Sequence, residues 1–272
     1  MIAAALTTPF DDSDSVDLGG VRALVQHVIG GGIPAVFVAG TNGEFPALDD
    51  SERLDVISTA LETAGPARVI AHVGAATTRQ AVRLTTEARR RGAERLAVIT
   101  PYFVPAGPQR VIEHFERCAA AADGAAVYVY VFTALAGTVV PPSLLARLAT
   151  IDGIVGVKVS GAGTDVVRAY ASATPPDFEV WSGNDAELPE VVAAGGTGIV
   201  SGNAGALPSL FAQLLTGYDA QPTVQAAVKT VDGSIANIKH LLDLQGLPGG
   251  RCRMAIDPPN PQHREALAAL LS

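Results

Sequence analysis

Short β-branched runs alternate along the chain with amphipathic stretches, and that alternation predicts parallel strands joined by crossover helices. Runs near 2–7, 35–39, 68–73, 95–100, 126–132, 154–159, 178–182 and 198–201 read as strands, eight in all. Helical segments follow near 18–29, 51–63, 77–91, 108–122, 142–150, 165–172, 185–194 and 208–216. Several carry start signals. Ser51 stands before Glu52, Thr77 lies three residues before Gln80, and Pro108 and Pro142 suit a first turn, where a missing N–H costs nothing. Eight βα units within 272 residues favour a closed α/β architecture, the (β/α)8 TIM barrel, over an open doubly wound sheet. On this reading residues 1–217 form the barrel, and 218–272 form a short C-terminal helical extension packed outside it. The extension has helical spacing over 224–244, a Gly/Pro-rich break at 246–250 and a last short helix at 265–271.

Composition supports one large core: 48% of residues are hydrophobic and 17% charged, far from the polar make-up of a disordered chain. Nineteen Lys+Arg against 27 Asp+Glu give a net charge of −8, which repels phosphate backbones and anionic membrane surfaces. Neither nucleic acid nor membrane is an expected partner. The uncharged stretches 124–146 and 191–218 have the length of a membrane span. Gly137 and Pro141-Pro142 break the first, and Gly195, Gly196, Gly198, Gly202, Gly205 and Pro208 break the second. The start of the chain has no basic residue ahead of its apolar stretch and runs into Asp11 and Asp12, unlike a secretory signal. Cys118 and Cys252 are too few for a disulfide framework, so a reducing cytoplasm is the expected location. The five histidines show no metal-ligand spacing, so no metal is expected.

Reactive groups of such barrels come from the carboxyl ends of strands. Lys158, one of only three lysines, stands in the otherwise uncharged run Gly153 to Gly161. Burying an ammonium is costly, and desolvation favours the neutral, nucleophilic amine. The alternative is a lysine whose stem is buried and whose head reaches solvent or a carboxylate at the barrel mouth. In the preceding strand Tyr128 and Tyr130 share one face, and Val127, Val129 and Val131 share the other. Tyr130 is therefore either a proton carrier beside the lysine or a core residue with its hydroxyl satisfied locally. After the second strand, Gly40-Thr41-Asn42-Gly43-Glu44 forms a turn able to present N–H groups and a hydroxyl to a small carboxylate, or a plain Asn-Gly turn.

Thr8-Pro9-Phe10, Gly40-Thr41-Asn42-Gly43-Glu44, Thr100-Pro101-Tyr102, Tyr130, Gly156-Val157-Lys158 and Ser182-Gly183-Asn184-Asp185 occur in that order. Together they resemble the dihydrodipicolinate synthase/N-acetylneuraminate lyase family, over most of residues 2–210. The resemblance implies a class I pyruvate-dependent aldolase, with Lys158 as the Schiff-base lysine and Tyr130 as the proton shuttle. It implies that Thr41 and Asn42 hold the keto-acid carboxylate. Gly43, Thr8, Gly183 and Val200 are expected to line the substrate, and Ser160 and Asp185, with Asn184, either bind hydroxyls of a sugar acid or cap helices near the strand ends. The resemblance also implies a homotetramer built from dimers, with no metal or organic cofactor.

The departures bear on the substrate. Asn42 replaces the second threonine of the family's Gly-Thr-Thr-Gly-Glu loop, and Phe103 stands where synthases place a second, proton-relaying tyrosine. Val131, Thr133 and Leu135 replace the Asn-x-Pro pattern and the nearby arginine that grips a second carboxylate. These favour an aldolase or lyase acting on another 2-oxo acid, such as a 2-keto-3-deoxy sugar acid, with pyruvate and an aldehyde as fragments. The alternatives are a Schiff-base dehydratase of a sugar acid, dihydrodipicolinate synthase proper, and a non-catalytic barrel that binds a 2-oxo acid.

Overall fold

The computed structural model describes residues 1–271. Eight parallel strands close into a barrel in chain order: β1 (Ile2–Ala5), β2 (Ala35–Val38), β3 (Val69–His72), β4 (Arg95–Ile99), β5 (Ala126–Val131), β6 (Ile154–Val159), β7 (Glu179–Ser182) and β8 (Gly198–Ser201). Each of the eight predicted runs supplies one strand. The chain falls into two compact units, one of Met1 with Ile70–Val200 and the other of Ile2–Val69 with Ser201–Ser272.

In the first unit, register runs through Tyr130↔Lys158 between β5 and β6, Lys158↔Trp181 between β6 and β7, and Trp181↔Gly198 between β7 and β8. Val127, Val129 and Val157 on one face are completely buried. The opposite face of β5 and β6 carries Tyr128, Tyr130, Gly156 and Lys158, because side chains alternate along a strand. That face is the concave one. Tyr128 Oη on β5 donates to Glu179 Oε2 on β7 at 3.2 Å, passing over the intervening β6. It can do so because β6 presents Gly156 there: a Cβ at Gly156 would stand 2.6 Å from Glu179 O and 2.9 Å from the Tyr128 ring. Arg95 Nη2 donates to Tyr128 Oη at 3.0 Å, and Trp181 Nε1 donates to Glu179 Oε2 at 2.7 Å. Arg95, Tyr128 and Glu179 lie toward the amino ends of their strands, so this network floors the interior below Lys158.

The helices of this unit follow the pattern with small changes. Thr77 caps Thr78–Arg90 by accepting from Gln80 N at 3.3 Å, and Pro108 and Pro142 open Pro108–Ala121 and Pro142–Leu148, as expected. The helix placed at 185–194 begins only at Leu188 and ends at Ala193. A short helix, Thr133–Ala136, which the pattern did not predict, follows β5 and ends on Gly137 in the left-handed region.

In the second unit, β1 pairs with β2 through Ala4↔Val36. Asp17 caps Leu18–Gly30 by accepting from Gly20 N at 2.8 Å. The helix Asp50–Ala64 starts at Asp50 rather than Ser51, because Asp49 is the cap and Glu52 returns to accept from its N–H at 2.8 Å. The helical stretch 224–244 is two helices, Gln221–Val231 and Ile235–Leu244. Asp232 (φ 54°) and Gly233 (φ 63°) turn left-handed between them, and the Ser234 side chain caps the second by accepting from Asn237 N. The last helix, Pro261–Ala268, begins four residues earlier than the apolar pattern indicated, because Asn260 caps it by accepting from His263 N at 2.9 Å. Among the described residues no helix is long and apolar enough to cross a membrane.

Candidate active site

Lys158 is the fifth residue of β6 and is 6% exposed, on the concave face identified by Gly156. Its Nζ lies 4.1 Å from the centroid of the Tyr130 ring, and Tyr130, its register partner on β5, is 1% exposed. Of the two positions open to a strand lysine, under the outer helices or in the interior, Lys158 occupies the interior. The Tyr130 ring also meets His72, completely buried at the end of β3, in a T-shaped contact (centroids 5.7 Å apart, planes at 85°). His72 lacks metal-ligand spacing to the other histidines and so does not stand out in the sequence on that ground. The available signal was a histidine in an otherwise apolar strand.

Beyond Lys158 the chain continues to Ser160, whose N–H extends the ladder by donating to Val131 O at 2.9 Å, while Gly183 N donates to Val159 O at 2.7 Å. These bonds bring Ser160 against Gly183 so closely that a Cβ at Gly183 would collide with the Ser160 hydroxyl. Asn184 N donates to Ser182 Oγ at 3.0 Å and Ala186 N donates to Asn184 Oδ1 at 3.2 Å, so a side-chain-braced turn carries Asp185. Asp185 is buried and lies three residues ahead of the helix beginning at Leu188. Val200 is buried within β8.

In the other unit the Gly40–Glu44 turn follows β2. Gly40 has to be glycine, because a Cβ there would collide with the Phe37 ring. Glu44 N donates to Thr41 O at 3.0 Å and Phe45 N to Gly40 O at 3.2 Å, so the turn closes on its own carbonyl groups. Thr8 Oγ1 donates to Gly43 O at 2.8 Å, which spends the Thr8 hydroxyl proton on holding the turn. Asn42 lays its amide against the backbone after β8, where a Cβ at Gly202 would collide with its Nδ2. The Glu44 side chain points inward: its Oε1 pairs with Lys239 Nζ at 2.7 Å and its Oε2 accepts from Met254 N at 2.7 Å. The C-terminal segment thus reaches the turn after β2 instead of only packing against outer surfaces. Lys239 belongs to no motif in the sequence, although it sits on the apolar stripe Ile235, Ile238, Leu242 of its helix, which is where a buried lysine shows.

A third feature lies on the surface. Phe103 is 92% exposed and left-handed (φ 74°), next to exposed Val104. Thr138 Oγ1 donates to Pro101 O at 2.7 Å and accepts from Ala106 N at 2.9 Å, so the 101–106 loop is fastened to the segment bearing exposed Leu135 and Val139.

The closed parallel barrel thus carries a buried lysine near the carboxyl end of one strand, beside a tyrosine ring on the neighbouring strand. The dihydrodipicolinate synthetase family model matches residues 1–272, and the chain belongs to that family. An uncharacterized DapA-like lyase of Halobacterium salinarum is 34% identical over 284 residues, spanning all of this chain and 92% of the relative. A 4-hydroxy-tetrahydrodipicolinate synthase of Streptomyces coelicolor is 32% identical over 282 residues, spanning 98% of this chain and 90% of the relative. The crystal structure of the dihydrodipicolinate synthase from Thermotoga maritima superposes with a TM-score of 0.90 at 27% identity, covering 99% of this chain and 96% of that one. The protein is therefore a carbon–carbon lyase with the family's class I, pyruvate-dependent chemistry.

Proposed function

We propose that this chain joins pyruvate to an aldehyde, or splits the two apart, through an imine on Lys158. The observation that carries the reading is the Lys158 amine held 4.1 Å above the ring of its register partner Tyr130. The amine attacks the keto carbon of pyruvate, the carbonyl oxygen leaves as water, and an iminium forms. Tyr130 carries the protons that these steps move. Loss of a methyl proton gives an enamine, whose carbon attacks the aldehyde, and hydrolysis then frees Lys158 and the product. The reverse sequence releases pyruvate from a 4-hydroxy-2-oxo acid. Thr41 and Asn42 bind the pyruvate carboxylate, with Gly43 keeping the turn compact. Ser160, Gly183, Asp185 and Val200 receive the remainder of the substrate. Thr8 acts through Gly43.

For the second substrate, the synthase names carried by the Streptomyces and Thermotoga proteins support condensation of the dihydrodipicolinate type over the sugar-acid cleavage expected from the sequence. Cleavage of a 2-keto-3-deoxy sugar acid is the second reading, and one observation favours it. Residues 131–140 carry no charged side chain, so that segment offers no cation to an aldehyde bearing its own carboxylate. Incubation of the protein with pyruvate and either a carboxylate-bearing amino-aldehyde or a neutral hydroxyaldehyde, read by product mass, separates the two. Turnover of the first supports the synthase reading, turnover of the second alone supports cleavage, and turnover of neither contradicts both.

The working form is a homo-oligomer in which Phe103, Val104, Leu135 and Val139 meet a second copy of the chain. An exposed phenylalanine in a strained backbone conformation is better accounted for by such a contact than by water. A reducing, cytoplasmic setting fits two free cysteines whose thiols burial pushes up to about 12 at Cys118 and about 11 at Cys252.

A further inference from the structure

We propose that Lys239 is a positioning residue for pyruvate binding: through Glu44 it fixes the shape of the Thr41–Gly43 turn and so the fit of the keto-acid carboxylate. This deepens the reading above and rests on it.

The pair is closed off from water, with side-chain exposures of 1% for Lys239 and 0% for Glu44. Each partner is also tied elsewhere. Lys239 Nζ donates to Arg251 O at 2.7 Å and lies 4.4 Å over the Phe10 ring. Asp243 Oδ1 accepts from Gly249 N at 3.0 Å and Gly250 N at 2.9 Å, which fixes the bend that delivers the Arg251 carbonyl. Next along the chain, Arg253 is held by Glu52, by the Ala47 carbonyl and by Asp14, and Met254 N then reaches Glu44. Glu44 itself is left-handed (φ 54°), and its N–H closes the turn on Thr41 O. Side chain and turn are therefore coupled within one residue. The Glu44 carboxylate cannot shift without stripping a buried ammonium of its partner, and Glu44 cannot turn without moving Thr41.

For stability alone, an apolar pair of similar volume serves as well as a buried ion pair. Directional contacts are what the charges add, and a binding turn is where direction matters. The substitution that separates packing from positioning is therefore the double variant Glu44→Leu with Lys239→Met, since it leaves no orphan charge.

The test traps the imine with borohydride on the whole protein across a concentration series of pyruvate and, separately, of methyl pyruvate, which lacks the carboxylate charge. Thermal melting is recorded for each variant. The wild type, Lys239→Met, and the double variant are compared. The expected result is that the double variant folds and melts above Lys239→Met, yet needs about tenfold more pyruvate than the wild type for half-maximal labelling of Lys158, with methyl pyruvate unaffected. Pyruvate half-saturation unchanged in the folded double variant overturns the proposal, and so does an equal loss for both ketones. If Lys239→Met fails to fold, the double variant alone decides. No adduct on wild-type Lys158 with either ketone brings down the imine reading itself, and this inference with it. A wild type that labels equally well with both ketones contradicts carboxylate recognition by the turn, while leaving the imine standing.

Discussion

Gly156 and Tyr128 face each other across neighbouring strands so closely that the missing side chain of one is the space occupied by the ring of the other. That vacancy lets the Arg95–Tyr128–Glu179–Trp181 network cross β6, and it forms the floor on which the Lys158 side chain stands two residues further along the same face. Gly156→Ala places a methyl 2.6 Å from the Glu179 carbonyl oxygen, a backbone atom that cannot step aside. The expected cost is about 1–3 kcal/mol of folding stability, read from urea denaturation. A variant as stable as the wild type contradicts the account of the floor.

The buried pair is expected to behave asymmetrically. Lys239→Met leaves the Glu44 carboxylate without its ammonium in a site closed to water, and should cost about 3–5 kcal/mol. Adding Glu44→Leu should recover most of that loss in the same denaturation experiment. A double variant less stable than Lys239→Met alone contradicts the assignment of the loss to an orphan charge.

Acid should destabilise the fold through His114. Burial lowers its imidazole to about 4 from an ordinary 6.5, while Thr78 Oγ1 is hydrogen-bonded to Nδ1 at 3.0 Å. Its folded value lies below its unfolded value, so the neutral ring contributes stability that is complete above pH 6.5. The contribution shrinks as the pH falls from 6.5 toward 4, because the unfolded chain takes up the proton first. The loss approaches about 3 kcal/mol at the acid end of that window. Burial lowers His27 in the same direction, so it adds to the slope. Stability measured between pH 7 and 5 should fall in the wild type and fall less in His114→Asn. Equal slopes contradict the role given to His114.

How much of this was legible in the chain differs between fold and site. The βα alternation located every strand, because a buried parallel strand leaves an apolar β-branched run that survives reading one segment at a time. Asp49 escaped because its capping partner Glu52 also suits a helix begun at Ser51, and the cap is decided by the backbone before it. The break at Asp232-Gly233 escaped because apolar spacing continues across it, and only the left-handed turn interrupts the helix. At the site, Lys158 and Tyr130 stood out as polar groups in apolar strands. Lys239 was legible only as a lysine on an apolar stripe, and its partner Glu44 lies 195 residues earlier in the chain. Long-range pairing of that kind leaves no periodic trace.

The ledge formed by Phe103, Val104, Leu135 and Val139 predicts self-association. Phe103→Ser removes the largest exposed apolar side chain of that surface. In sedimentation equilibrium the wild type should exceed the monomer mass, and the variant should dissociate at a concentration about tenfold or more higher than the wild type requires. A monomeric wild type contradicts the assignment of a second copy to this surface.

If the Lys158 amine, buried beside Tyr130, captures a ketone, intact mass and peptide mapping after incubation with pyruvate and borohydride will find one reduced pyruvyl group, on Lys158. The label should be absent from Lys158→Ala and form more slowly in Tyr130→Phe. Folded wild-type protein that stays unlabelled at Lys158 contradicts the account, as does labelling of Lys229 or Lys239 in its place.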